Sequence, residues 1–192
     1  RDGAIYRSIV APKATDDIEV GDFWIAPGPR KTALGQAWIE VSVRDAIPCR
    51  ITVTDEKGHL AALHSGKTDT LALRPGVAYT GDGSAQLGVL PGCYTVYASR
   101  GFEYGVAHKQ VTVAAGETAV VPLEIRREVP TPNLVACDTH IHTLTFSGHG
   151  DSTTEERMLT IAGEGIELAV STDHNHHADY KPAAVKTATP QH

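Results

Sequence analysis

Short runs of alternating apolar and polar residues dominate the middle of this chain. The runs at residues 38–43 and 50–55 alternate with a period of two, which is typical of half-buried β-strands. Further short strands are predicted at residues 94–98, 110–113 and 119–125, after turn residues. Strands and turns at this spacing indicate a β-sandwich. We therefore predict an all-β section over residues 37–128.

Other features of this section fit the same prediction. Turns are expected at residues 56–58, 91–92 and 115–117, which contain glycine or proline. A stretch rich in glycine and proline, residues 74–84, is expected to be a longer loop. Four aromatic residues are expected to pack in the core or across strands and not to bind a ligand: Tyr94, Tyr97, Phe102 and Tyr104.

The sequence of this section resembles the transthyretin-like, carboxypeptidase-regulatory-like β-sandwich. The motifs that carry the resemblance are RITVTDEKG, LPGCYTVYASRGFEY and VTVAAGETAVVPLEI. Modules of this kind accompany a catalytic domain, so the resemblance implies a neighbouring enzyme domain. The pairing of sandwich and hydrolase favours a secreted or periplasmic protein, although the compartment itself is not encoded in any motif of this sequence.

Proline-containing segments flank the sandwich. Residues 1–36 form a lead-in with one expected strand near residues 23–26. Residues 126–133 contain Pro130 and Pro132. Proline cannot donate a hydrogen bond to a sheet, and it restricts the residue before it. The sandwich should therefore end here and a third section, residues 129–192, should begin.

The pattern of the third section is that of a βαβ unit. Continuous apolar runs at residues 134–137 and 166–170 are typical of strands buried on both faces of a parallel sheet. Between them, residues 152–155 form an expected capping box at the start of a helix. Gly163 and Gly165 should end this helix. Its expected buried face consists of Met158, Leu159, Ile161 and Ala162.

Histidines and carboxylates follow both predicted strands. Because the carboxyl ends of parallel strands meet at one edge of a sheet, these side chains should converge there. Imidazole and carboxylate groups together are ligands for zinc, manganese or iron. Residues two apart on an extended chain face the same side, which groups His140 with His142. The candidate ligands are His140, His142, His149, Asp151 and His174, and Asp138 and Asp173 are expected to orient imidazoles.

Seven of the ten histidines lie at or beyond position 140, as a metal site in this section would require. His176 and His177 lie past the second strand in a polar loop, so we expect them to be solvated or to face substrate. His59, His64 and His108 are scattered through the sandwich and are expected at its surface.

The motifs DTHIHTLTFSGHGDSTTEER and GIELAVSTDHNHHADY resemble the PHP (polymerase and histidinol phosphatase) metallohydrolases, in particular the CehA/McbA-like branch. The resemblance implies a β/α barrel with two or three divalent metal ions. It also implies hydrolysis of a small-molecule phosphoester or ester by a metal-bound water. His140, His142 and His174 would be metal ligands, and either His149 or Asp151 would supply another.

The PHP enzymes take further ligands, a Glu, further His and a late Asp-x-His, from downstream strands. This sequence ends at His192 without them. We therefore expect an incomplete hydrolase domain whose activity alone stays open, and which is completed by more polypeptide or packs against the sandwich or another copy. The predicted fold is mixed and mainly β: a transthyretin-like sandwich followed by a truncated α/β segment. The alternative is a non-catalytic β-sandwich binding module, for carbohydrate or protein, with a vestigial metal-binding tail.

Composition narrows the range of partners. The net charge of −6 argues against nucleic acid, which requires a basic face. No apolar run approaches the roughly 20 residues of a membrane span, so no membrane contact is expected.

Cys49 and Cys93 begin predicted strands. If those strands are antiparallel neighbours, the two thiols lie at opposite ends, and we expect them and Cys137 to be unpaired.

Overall fold

The computed structural model describes residues 4–5, 24–25, 29–66 and 69–189. The first part of the chain contains β1 (Ala4–Ile5), β2 (Trp24–Ile25), α1 (Arg30–Leu34), β3 (Ala37–Val43) and a short 3₁₀ turn (Arg44–Ala46). Then follow β4 (Cys49–Asp55), β5 (Leu71–Arg74), β6 (Val77–Thr80), β7 (Ser84–Val89), β8 (Gly92–Ser99), β9 (Ala107–Val113) and β10 (Thr118–Leu123). The last part contains β11 (Cys137–Ile141), α2 (Leu144–Ser147), α3 (Thr154–Gly163), β12 (Leu168–Ser171) and α4 (Lys181–Lys186).

Two sheets enclose the main core. One has the antiparallel strand order β5-β6-β4-β8-β9, and the other has the order β10-β3-β7 with β10 parallel to β3. Strand β3 alternates as its sequence predicts, and Ile39 and Val41 lie in one buried cluster with Ile51 and Val96 of the other sheet. Full burial of each such side chain stabilises the fold by about 1.5–3 kcal/mol. The expectation of a mainly β, sandwich-like fold is confirmed.

The prediction of a long loop at residues 74–84 is wrong. Strands β5 and β6 pair there as a hairpin whose tight turn is Pro75-Gly76, and β7 starts at Ser84. Gly76 has a φ of +67° and lies so close to Leu60 that an added Cβ would be 2.5 Å from the Leu60 Cβ. The glycine and proline therefore mark a tight turn between short strands and not a long loop.

The aromatic residues do not share one environment. Tyr94 and Tyr104 pack against the core, and Tyr97 lies across from His108 on the neighbouring strand. Phe102 contradicts its predicted place because it is fully exposed, in the turn that follows β8. Gly101, directly before Phe102, has a φ of +56°, which fits a tight turn at this place.

Antiparallel pairing of β4 with β8 places Cys49 and Cys93 at opposite ends of the two strands. These two residues and Cys137 are free in the described part of the chain, which confirms the expectation of unpaired thiols.

The strand expected near residues 23–26 is present at β2, which pairs with β1. The rest of residues 1–28 lies outside the described residues. Each helix in the described ranges falls short of the length and apolar character that a membrane span requires.

The predicted βαβ unit is present, with shifted strands. Strands β11 and β12 pair in parallel but begin at Cys137 and Leu168. Leu134 and Val135 precede the first strand and are exposed, and Leu168 is 50% exposed. Burial on both faces was therefore a wrong expectation. The reason is that the described sheet has two strands and is covered by α3 and α4 on one face, where Ile141 packs against their side chains.

Helix α3 begins one residue later than the sequence pattern indicated. Its capping box is formed by Thr153 and Glu156 and not by Ser152 and Glu155. Ser152 is buried and accepts a hydrogen bond from Arg74 of β5. The buried face is the predicted one, since Met158, Leu159, Ile161 and Ala162 are all buried. The helix ends at Gly163, also as predicted; helix α4 was not predicted.

Helix α3 packs on the outer face of the five-stranded sheet. Gly163 allows this approach, since an added Cβ would lie 2.8 Å from Cδ1 of Tyr79 and 3.1 Å from the carbonyl oxygen of Cys49. Just past the helix, Glu164 accepts hydrogen bonds from Arg50 at 2.8 Å and from Tyr79 at 2.9 Å. These contacts hold the βαβ unit beside the β5–β6 hairpin of the sandwich.

Candidate metal centre

Four histidines converge at the carboxyl ends of β11 and β12. The Nε2 atoms of His140 and His142 are 2.8 Å apart. Candidate ligand atoms of His142, His149 and His174 all lie within 4.8 Å of one another. The centroid of the His142 ring is 4.7 Å from that of His174 and 5.1 Å from that of His149. Of the predicted ligands, His142, His149 and His174 therefore lie together, and His140 contacts His142 beside that trio.

Strand pairing accounts for this convergence. His140 lies on β11 and His142 lies just beyond it. The backbone nitrogen and the hydroxyl of Thr172 both donate to the carbonyl oxygen of Ile141, at 2.9 and 3.0 Å, and tie the two strand ends together. His174 follows Thr172 by two residues, so it emerges beside His142. Asn175 then reverses the chain with a φ of +54°.

Asp173 is a buried anchor beneath the histidines. It is 6% exposed and accepts hydrogen bonds from the Thr143 backbone nitrogen at 2.7 Å, the Ser147 hydroxyl at 2.7 Å and the Tyr180 hydroxyl at 2.6 Å. Among the described residues its carboxylate does not bond to an imidazole, so the expectation that it orients His174 directly is wrong. The reason is that the loop after β11 folds over it and its oxygens bind that loop.

The effect of Asp173 on the histidines passes through Ser147. The Ser147 hydroxyl donates to Asp173, accepts from the backbone nitrogen of His174 at 3.1 Å, and lies 3.4 Å from Nδ1 of His142. Because its proton is directed to Asp173, the serine oxygen is free to accept a hydrogen bond from Nδ1 of His142. This arrangement favours the His142 tautomer whose Nε2 carries a lone pair, which faces Nε2 of His140 at 2.8 Å.

The pKa values of Asp173, Tyr180 and His142 reflect these contacts. Burial opposes ionisation of Asp173, but hydrogen bonds from Tyr180, Ser147 and Thr143 outweigh it and hold the pKa of Asp173 well below its usual range. Burial and the bond to Asp173 raise the pKa of Tyr180 to about 12. Desolvation and the neighbouring imidazoles of His140, His174 and His149 lower the pKa of His142. A neutral imidazole is the form that binds a metal ion.

The two remaining carboxylates have other partners. Asp138 accepts a hydrogen bond from the backbone nitrogen of His140 at 3.0 Å and bonds to no imidazole among the described residues, so its role in orienting one stays a prediction. Asp151 forms an ion pair with Arg74 at 3.0 Å. Of the two candidates in the glycine-rich loop, His149 therefore joins the cluster and Asp151 binds the sandwich.

Tyr180, Ser147 and Arg74 are participants that the sequence analysis missed. They lie far from the His-x-His motif along the chain or carry no motif of their own, and only the fold brings them to it. His176 stacks on Phe146 with ring centroids 4.4 Å apart, and His177 is exposed. Both lie outside the cluster, in accord with their predicted solvated positions.

A cleft of about 530 Å³ runs between the cluster and the sandwich. One wall carries His140, His142 and His149, and another carries Arg157 of α3. Arg74 and Tyr79 close the side that faces the sandwich. The cleft also carries the carboxylates of Asp138, Asp151 and Glu164, so a molecule in it would meet imidazoles and charges of both signs.

Comparisons with known proteins add little to this geometry. No family model matches the sequence, and no curated protein matches it. Among solved structures, the minor pilin GBS52 of Streptococcus agalactiae is similar at 17% identity with a TM-score of 0.35. The match covers 51% of this chain and 47% of the pilin, so it spans about half the length of that protein. A likeness at this level does not bear on the histidine cluster.

Proposed function

We propose that this chain carries the metal-binding part of a PHP-type hydrolase that acts on a small phosphoester or ester. The observation that supports this best is the convergence of His142, His149 and His174, with His140 in contact with His142. In this proposal the βαβ unit is the first part of a β/α barrel, and the sandwich is its accessory module. The resemblance of the two sequence motifs to the PHP metallohydrolases also supports the proposal. The likeness to the pilin has no part in it.

The donor set fits a divalent ion. Two nitrogens bound to one zinc ion at about 2.1 Å can be no more than about 4.2 Å apart. At the tetrahedral angle of a four-coordinate zinc ion the nitrogens lie about 3.4 Å apart, so the trio, whose ligand atoms lie within 4.8 Å of one another, would have to close by up to about 1.4 Å. Three protein ligands leave a position open for water or substrate, which is the pattern of a catalytic site. His140 would then be available to a second, adjacent ion.

The surrounding residues have defined roles in this proposal. A bound divalent ion would supply an acidified water molecule and a positive charge for the leaving oxygen. Ser147, held by Asp173, keeps the Nε2 lone pair of His142 directed at the cluster. Arg157 lines the cleft 4.0 Å from Asp151, and its guanidinium would bind an anionic substrate group in competition with that carboxylate. His149 and His174 are exposed, so substrate has a path to them.

The test combines metal titration with an assay. Metal-free protein is titrated with Zn²⁺ and with Mn²⁺, and para-nitrophenyl phosphate and para-nitrophenyl acetate serve as substrates. We expect metal binding that is lost in the double variant His140→Ala, His142→Ala and retained in His177→Ala, whose ring lies outside the cluster. Equal metal binding by all three proteins would contradict the metal site. Metal binding without turnover of either ester would favour the binding-module alternative over the hydrolase.

A further inference from the structure

Arg74 joins the sandwich to the loop that carries His149. It is the last residue of β5, and all three of its guanidinium nitrogens are engaged. Nε donates to Oδ2 of Asp151 at 3.0 Å, and Nη2 donates to the backbone oxygen of Asp151 at 2.9 Å and to the hydroxyl of Ser152 at 2.8 Å. Nη1 donates to the backbone oxygen of Leu73 at 2.8 Å and to Glu156 at 3.3 Å.

These contacts hold the main chain at residues 151–152 in place and are more than an ion pair. An exposed ion pair contributes about 0–1 kcal/mol, and Asp151 alone would belong to that class. The bonds to a backbone carbonyl and to the buried Ser152 hydroxyl add direction, and the Arg74 side chain is only 25% exposed. Although burial lowers the pKa of Arg74, its bonds to Glu156 and Asp151 outweigh this and raise the pKa above its ordinary value.

His149 depends on such an anchor because its own neighbours constrain it weakly. It lies between Gly148 and Gly150, which have φ angles of +71° and +91°. An added Cβ at either glycine would meet nothing within 4 Å among the described residues. The loop is closed by the Leu144 backbone nitrogen, which donates to the Ser152 carbonyl oxygen at 2.8 Å. Ser152, which Arg74 holds, is therefore the fixed end of the segment that presents His149.

We infer that Arg74 is a positioning residue of the metal centre, through which the β-sandwich sets where His149 lies and hence how tightly the cluster binds a divalent ion. The inference rests on the proposed function for its effect on metal affinity. The positioning of residues 148–151 by Arg74 does not depend on the proposed function and is measured separately.

The experiment compares Arg74→Ala and Arg74→Lys with Arg44→Ala as the control. Arg44 also forms an ion pair with a sandwich carboxylate, Glu124, at 2.8 Å, but it lies outside the cleft. Affinity for Zn²⁺ is measured by competition with a chromophoric chelator. We expect Arg74→Ala to weaken binding about tenfold to a hundredfold. Arg74→Lys should fall between, because an ammonium cannot reproduce the fork of bonds, and Arg44→Ala should match the wild type.

A second background separates positioning from general damage to the fold. In His149→Ala protein, Arg74→Ala should cause no further loss of Zn²⁺ affinity, whereas an unspecific effect would reduce affinity there equally. Amide hydrogen exchange on metal-free protein should accelerate at residues 148–151 in Arg74→Ala and not in Arg44→Ala. Unchanged exchange and unchanged affinity would overturn the inference. Faster exchange in a protein that binds no Zn²⁺ at all would overturn the proposed function and leave the positioning of the loop by Arg74 in place.

Discussion

The Nε2 atoms of His140 and His142 lie 2.8 Å apart, so the two imidazoles of the His-x-His motif point at the same place. Residues two apart on an extended chain share a face, which explains why they are neighbours. The parallel partner strand then delivers His174, and the loop between the strands delivers His149. The cluster is thus a direct consequence of how β11 and β12 pair.

Removing one ring of the cluster should weaken metal binding, whereas removing an exposed histidine outside the cluster should not. His142 contacts the other three rings, so His142→Ala should lower affinity for Zn²⁺ by more than about 100-fold, beyond the loss expected for a residue that only orients a ligand. Isothermal titration calorimetry measures the change. His176→Ala is the matched control because its ring stacks on Phe146 outside the cluster. Similar losses in both variants would argue against a defined site.

Asp173→Asn should destabilise the protein even without metal. The amide cannot accept as strongly from the Thr143, Ser147 and Tyr180 donors, so we expect a loss of about 2–4 kcal/mol in the free energy of unfolding at pH 7. Because the pKa of Asp173 is lower in the folded than in the unfolded chain, its contribution is complete above the unfolded value of about 3.9. It disappears as the pH falls further toward the folded pKa.

Urea denaturation of both proteins at pH 7 and at pH 3 checks this sign. The difference in unfolding free energy between wild type and Asp173→Asn should be large at pH 7 and smaller at pH 3. A difference that is independent of pH would show that the loss comes from altered packing and not from the carboxylate charge.

The protonation of His142 gives a prediction that needs no metal. Desolvation and the three neighbouring rings disfavour its imidazolium form, so its ring should titrate below the ordinary value of about 6.5. In this direction the folded chain binds fewer protons than the unfolded chain, and stability attributable to His142 falls as the pH drops below about 6.5. NMR titration of the ring should show its midpoint move upward in His140→Ala. A midpoint unaffected by that change would contradict the closeness of the two rings.

The sequence predicted the alternating strands well and the ends of the βαβ strands poorly. In β3 and β4 every second residue is buried in a sandwich, and this leaves a period of two in the sequence. Residues 134–137 are apolar without being buried on both faces, because the described sheet has two strands and is covered by α3 and α4 on one face. An apolar run shows only that a strand is compatible with burial; the number of neighbours decides whether burial occurs.

The site was predictable only as far as local geometry determines it. The grouping of His140 with His142 follows from strand geometry, and that with His174 from parallel pairing. The choice between His149 and Asp151 could not be made, because it depends on Arg74, which lies about eighty residues away and pairs with Asp151. For a similar reason neither Asp138 nor Asp173 bonds directly to an imidazole among the described residues. Both carboxylates bind main-chain or hydroxyl donors whose positions only the folded loop determines.

The contact between α3 and the sandwich depends on the absence of a side chain at Gly163. A leucine there would collide with Tyr79, whose ring is held by its bond to Glu164, and with the Cys49 carbonyl. Overpacking of this kind costs about 1–3 kcal/mol, so Gly163→Leu should lower the thermal midpoint by several degrees. Gly66→Leu is the control, since an added Cβ there meets nothing within 4 Å in the described residues. Equal midpoints for the two variants would refute the close packing.

The most direct test of the account is to locate the ion itself. Crystals grown with Zn²⁺ and measured at the zinc absorption edge should give an anomalous peak about 2.0–2.1 Å from ring nitrogens of His142, His149 and His174. A peak bound elsewhere, or no peak among these rings at saturating Zn²⁺, would contradict the metal centre on which the proposed function depends.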